Sequence, residues 1–236
     1  MARLARLSIG GYPHVIAQRA GARDVVIDDE DAHQLLGILR VATAEAGVGL
    51  HGYVLVTRGI WLLATPADEH GLGRAMQSIG RRYVRWVNDR RREKGGLFDG
   101  RYRAALLEPE TELLSALRYI ESQPVVAGLA AAPEESLWSS CRHHVGLGTD
   151  PWLADHPVYW ALGNTPFERQ AAYRTFLHHG VSNAEAKRLE RALTGGWVLG
   201  SKAFVRQIAP MCSRRPERSQ AGRPRSNITP PVSSEN

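Results

Sequence analysis

The chain has 236 residues, of which 43% are hydrophobic and 23% charged, with a net charge of +6. That is ordinary globular usage over a length that suits one domain with an appendage or two small ones, so wholesale disorder is excluded. No apolar run approaches the roughly 20 residues that cross a bilayer, so no membrane partner is expected, and the stretch Met1–Leu7 lacks a signal peptide's continuous apolar region. Cys141 and Cys212 lie far apart, match no metal-ligand spacing, and point to a reduced cytosolic compartment.

In chain order, residues 7–17 read as a strand. Asp28-Asp29-Glu30-Asp31 then places acids where they offset a helix macrodipole, and Leu35, Leu36, Leu39, Ala42 and Ala46 form one apolar stripe, with Gly47 as the stop. Residues 48–65 hold two apolar runs separated by Thr57-Arg58-Gly59, a hairpin pattern. A second helix runs from about Leu72 to Arg92, with Ile79, Tyr83, Trp86 and Val87 inward, and stops at Gly95-Gly96. Tyr102 to Glu108 reads as a strand, and Pro109 opens a helix to about Ser122. The order β-α-β-β-α-β-α predicts an α+β, ferredoxin-like antiparallel sheet with helices on one face. Residues 1–145 form this domain, 146–210 a helical C-terminal extension, and 211–236 a basic tail whose Pro, Ser and Arg content predicts disorder.

Charge is unevenly placed. Residues 81–103 carry nine Lys/Arg against three Asp/Glu, residues 201–236 seven against two, and the remainder is net −5. Concentrated basic segments on an acidic body are what a phosphate backbone attracts, since each neutralised phosphate releases counterions. Arg81, Arg82, Arg85, Arg90, Arg91, Arg101 and Arg103 are the candidate DNA contacts, with Tyr83 and Trp86 between them read as core. In the tail, Gly222-Arg223-Pro224-Arg225 resembles the core of an AT-hook, adding Arg223 and Arg225.

Several segments together carry a family resemblance. They include Asp24-Val25-Val26-Ile27-Asp28, Tyr53-Val54-Leu55 continuing to Leu62-Leu63-Ala64-Thr65-Pro66, Gly80-Arg81-Arg82-Tyr83-Val84-Arg85-Trp86, and Leu97-Phe98-Asp99-Gly100-Arg101-Tyr102-Arg103. Leu117-Arg118-Tyr119-Ile120-Glu121, Pro124-Val125-Val126, Trp138-Ser139-Ser140, Asp150-Pro151-Trp152-Leu153 and Gly195-Gly196-Trp197 continue the series. The chain resembles the REP-associated tyrosine transposases, single-strand DNA transposases of the HUH superfamily. The resemblance implies single-stranded hairpin or palindromic DNA as partner and a homodimer as one possible state. It also implies a tyrosine nucleophile that becomes joined to a 5′-phosphate, and a divalent cation (Mg²⁺ or Mn²⁺) held by a His-x-His pair and a third ligand. Tyr119 falls at the nucleophile position and Gln123 at the third-ligand position, four residues apart and so on one helix face.

The His pair is replaced. Its two positions hold Gly59 and Trp61; glycine offers no ligand atom and an indole N–H only donates. Trp61 reads as filling the space of the lost imidazoles. His14 and His51 match packing histidines of the family, and the adjacent pairs His143-His144 and His178-His179 are expected to diverge, so no compensating site is evident. Three readings remain: a transposase-like DNA-binding protein with little or no strand transfer, an active transposase using Tyr119 with an unconventional cation site, and a protein-interaction or small-ligand module on a ferredoxin-like core.

Overall fold

The computed structural model describes residues 6–218. The first strand, β1 (His14–Arg19), begins later than the expected residue 7. The backbone turns at Gly10-Gly11: a Cβ at Gly10 would stand 2.6 Å from the Ala67 carbonyl oxygen. Leu7 and Ile9 instead pack against Val198, Phe204, Val205 and Ile208, which ties the N-terminus to the C-terminal extension.

Helix α1 (Asp29–Glu45) starts as its acids dictate, with the Asp28 carboxylate accepting Asp31 N–H at 3.0 Å. Its stripe of Leu35, Leu39, Ala42 and Ala46 is buried, and Gly47 follows in the left-handed region at φ +65°. Strands β2 (Val48–Val56) and β3 (Gly59–Pro66) form the expected hairpin around Thr57-Arg58. Helix α2 (Gly71–Arg91), β4 (Arg103–Leu106) and α3 (Pro109–Glu121), with Pro109 at its first position, complete the β-α-β-β-α-β-α order. The four strands are antiparallel in the order β2-β3-β1-β4, as the ferredoxin-like, α+β expectation requires.

Both sheet faces are covered. Ile16, Tyr53, Leu55, Ile60 and Leu62 pack under α1 and α2. Val15, Ala17, Val54, Trp61 and Leu63 face the other way, onto α3 and the extension. The expectation of helices on one face thus holds for α1 and α2 only, because the strands are apolar on both faces and α3 with the helices after it supplies the second layer. That layer comprises the short α4 (Gln123–Val126), α5 (Cys141–His144) and α6 (Pro157–Trp160), then α7 (Pro166–His178), α8 (Asn183–Gly195) and α9 (Lys202–Ile208). Capping boxes start α7 (Thr165 with Glu168) and α8 (Ser182 with Glu185). Leu199 exchanges backbone hydrogen bonds with the β4 edge, donating to Leu106 O and accepting from Glu108 N, both at 2.8 Å. Residues 211–218, placed in the disordered tail by composition, pack back: Val198 N–H donates to Pro216 O at 3.0 Å and the Arg214 guanidinium lies over Trp197. Residues 219–236 lie outside the described residues.

Two buried histidines make stability pH-dependent. Nδ1–H of His14 donates to Tyr12 O at 2.8 Å, Nε2 has no partner, and burial pulls the ring's pKa down to about 4. Burial likewise lowers His51 to about 4; it lies beside His156 and its Nε2 accepts from Thr65 Oγ1 at 2.7 Å. The unfolded chain takes up protons below about pH 6.5 while the folded rings stay neutral, so stability is complete above that pH and falls as pH drops toward 4. The loss approaches about 3 kcal/mol per ring at the acid end. Urea midpoints are expected to decline across that window, and less steeply in His14→Gln; an equal decline in the variant would contradict this.

Candidate functional site

On the α3 side of the sheet, Gly59 pairs with Arg19 and Val56, and Trp61 with Ala17 and Val54, so the two family ligand positions do share a face. Tyr119 and Gln123 stand one turn apart beside that face, both buried. Trp61 and Tyr119 pack in one cluster, but these positions do not form a cation site. Trp61 is 7% exposed, with its indole N–H buried and unpartnered. Its ring lies along Gly59: a Cβ there would be 3.1 Å from the ring and 2.8 Å from Gln18 O, at φ +156°. A histidine at position 59 would therefore need the hairpin to shift. The Gln123 amide, at the start of α4, turns back onto α3 and donates to Tyr119 O at 2.9 Å.

The second feature at Tyr119 comes from α8. The Tyr119 hydroxyl donates to Glu190 Oε2 at 3.3 Å, and both Glu190 oxygens accept from Arg19 Nη2, at 2.5 and 2.7 Å. Burial, then the Glu190 charge and its hydrogen bond, push the phenol up to about 12, while Arg19 and Gln123 pull the other way. At neutral pH about one phenol in 10⁵ is ionised. Sequence reasoning missed Arg19 and Glu190; the Ser182/Glu185 capping box marks where α8 begins, but no local pattern says what α8 covers. The residues present do not fit Mg²⁺ or Mn²⁺. The one carboxylate at the phenol is already neutralised by Arg19, and neither Gly59 nor Trp61 offers a ligand atom.

The candidate DNA contacts divide into two groups. Arg81, Arg82 and Arg85 project from the solvent face of α2: Arg82 meets Glu45 at 2.9 Å, Arg85 meets Asp89 at 3.9 Å, and Arg81 makes no ion pair among the described residues. Arg90 and Arg91 are committed to structure. Arg90 binds Asp28 and the fully buried Asp31, and Arg91 binds Asp31 and the Asp24 and Val25 carbonyls, so both guanidiniums are engaged by the protein's own acceptors. Tyr83 is core, as expected, its hydroxyl donating to Val25 O at 2.6 Å and its ring stacked on Trp86. Arg101 and Arg103 line a cavity of about 480 Å³ with Arg6 and Arg214, and Arg103 also donates to Thr194 O at 3.2 Å. Arg223 and Arg225 lie outside the described residues.

No protein-family profile and no curated protein matches the chain. Among solved structures, a REP-associated tyrosine transposase bound to a REP hairpin superposes with a TM-score of 0.55 at 13% identity, covering 67% of this chain and 93% of that one. The fold is transposase-like. A candidate transposase from Deinococcus radiodurans R1 also matches at 17% identity, over 56% of this chain and 97% of that one. Its TM-score of 0.36 adds nothing to the fold assignment.

Within this transposase-like fold, the side of α3 turned away from Tyr119 carries a buried polar network. Glu121 is fully buried and accepts from Ser140 Oγ at 2.6 Å, His144 Nδ1 at 2.7 Å and Tyr173 OH at 2.7 Å. Burial and the Glu121 charge hold the Tyr173 phenol far above its ordinary pKa, so it stays a donor. His143 and His144 do not diverge as expected. Val145 ends α5 after one turn, and the following loop sets Asp155 before both rings, with Asp155 Oδ1 3.1 Å from His143 Nε2 and 3.8 Å from His144 Nε2. His178 stays apart, pairing with Glu134 at 2.9 Å. No described helix is long and apolar enough to cross a membrane.

Proposed function

We propose that this chain binds DNA through a transposase-like scaffold and does not use Tyr119 as a nucleophile. The observation that carries this reading is the cover over Tyr119: Glu190, held by Arg19, takes the phenol's hydrogen bond, and Trp61 lies where the family has a cation ligand. A phenol raised to about 12, hydrogen-bonded to a carboxylate that Arg19 already neutralises, is a weak nucleophile, and neither Gly59 nor Trp61 offers a ligand for a cation that would polarise a phosphate. DNA as partner is supported by the outward arginines of α2, by Arg101 and Arg103 beside Arg6, and by the likeness to a protein whose structure is bound to a REP hairpin.

Two outcomes test the reading. Labelled single-stranded REP-type hairpins with Mg²⁺ or Mn²⁺ are expected to give no covalent protein–DNA adduct, with the wild type or with Glu190→Ala. A Tyr119-dependent adduct would establish the active-transposase reading instead. The same hairpins are expected to shift in a salt-sensitive manner. Replacing Arg81, Arg82 and Arg85 together by Gln should weaken binding about 10- to 100-fold at low salt and flatten the log K against log salt slope by about 2, at roughly 0.7 per phosphate contact on a single strand. Binding that ignores both salt and the triple substitution would favour the interaction-module reading.

A further inference from the structure

We propose that His143, His144 and Asp155 form a binding site for a single transition-metal ion of the Zn²⁺ or Co²⁺ class. Two imidazole nitrogens and one carboxylate oxygen, all within 4.8 Å of one another, surround a common point between the end of α5 and the loop that precedes α6. A four-coordinate ion with ligand bonds of about 2.0–2.2 Å sets its ligand atoms roughly 3.3–3.5 Å apart. The 3.1 and 3.8 Å separations from Asp155 Oδ1 bracket that spacing, and the two imidazole nitrogens lie within 4.8 Å of each other, so the rings draw together to close the site.

His144 supplies the strongest argument. Its ring is 1% exposed, Nδ1–H donates to the fully buried Glu121 at 2.7 Å, and Nε2 faces Asp155 Oδ1 across 3.8 Å. No hydrogen bond joins Nε2 to Asp155 Oδ1 across that gap, and a cation placed between them is within reach of both. A carboxylate that holds the far nitrogen of a histidine is also the usual support of a metal-ligating imidazole, because it fixes the tautomer and raises ligand basicity. His143 is tuned less well. Its Nδ1 accepts Asp150 N–H at 3.1 Å, so without an ion Nε2 carries the proton and donates to Asp155. Ligation moves that proton to Nδ1 and gives up the Asp150 contact, leaving Nε2 and Asp155 free to share the ion. His143 and Asp155 are each about one-fifth exposed, which provides the entry path and a fourth position for water.

The donor set selects the ion. Imidazole nitrogen suits Zn²⁺, Co²⁺ and Ni²⁺, whereas Mg²⁺ prefers all-oxygen octahedra. Nor does this site stand in for the lost His pair. Glu121 and Tyr119 are two residues apart on α3, about 200° around the helix, so the ion lies on the far side from the phenol. Its role is to tie α5 and the 150–156 loop to α3 through Glu121.

The test is a Co²⁺ titration of the chelator-treated full chain, read by visible absorption and equilibrium dialysis. One Co²⁺ per chain with a tetrahedral spectrum, displaced by Zn²⁺, is expected. His143→Ala and Asp155→Asn should each lower affinity at least tenfold while keeping the wild-type near-ultraviolet circular dichroism, and His178→Ala should change nothing. Absence of saturable binding, or binding unaffected by both site variants, would overturn the proposal. DNA binding is read separately, so this result and the function proposed above stand or fall independently.

Discussion

Glu121→Ala is expected to destabilise the chain by about 3–5 kcal/mol, a large share of the 5–15 kcal/mol that holds an ordinary domain together. The carboxylate is fully buried and accepts three hydrogen bonds, from Ser140, His144 and Tyr173. Truncation leaves the buried His144 and Tyr173 donors without an acceptor, while Ser140 Oγ keeps Tyr53 O at 3.2 Å, and each orphan costs about 1–3 kcal/mol before relaxation. The three donors come from different parts of the second layer, so the loss loosens α3, α5 and α7 together. The urea midpoint should fall by about 1–2 M. Glu121→Gln, which keeps one acceptor oxygen and the volume, should lie between the two. A midpoint shift below about 0.5 M for the alanine variant would show that water replaces the carboxylate at little cost.

Asp31→Ala is expected to cost a similar amount, about 3–5 kcal/mol, by breaking a buried ion pair from one side. Asp31 is fully buried and accepts from Arg90 Nη1 at 2.5 Å, from Arg91 and from Ile27 N–H at 3.0 Å. Its loss leaves Arg91 uncompensated and loosens the start of α1 from the end of α2. The function proposed above adds a second readout. Arg90 and Arg91 serve this junction, so Arg90→Gln should lower stability and leave hairpin affinity within about twofold, unlike the α2 face arginines. Affinity lost in proportion to stability would assign Arg90 to the DNA surface after all.

Local signals made much of the architecture legible. The stripe Leu35, Leu39, Ala42 and Ala46, the Asp28 cap, the break at Thr57-Arg58 and Pro109 at a helix start each act within four or five residues, and each stands where periodicity placed it. β1 was misplaced because Gly10 is constrained by Ala67, a residue the local pattern does not contain.

By itself, then, the sequence determined the element order, the α+β class and the absence of ligand atoms at positions 59 and 61, because all of these follow from residue identity and short-range periodicity. Only the tertiary structure decided that Glu190 and Arg19 close over Tyr119, that Arg90 and Arg91 turn inward to Asp31, and that His143 and His144 meet at Asp155. The Arg19–Glu190 pair spans 171 residues and Arg90–Asp31 spans 59. Contacts of that separation leave no periodic trace in the chain: they are set by which layer of the fold each helix joins.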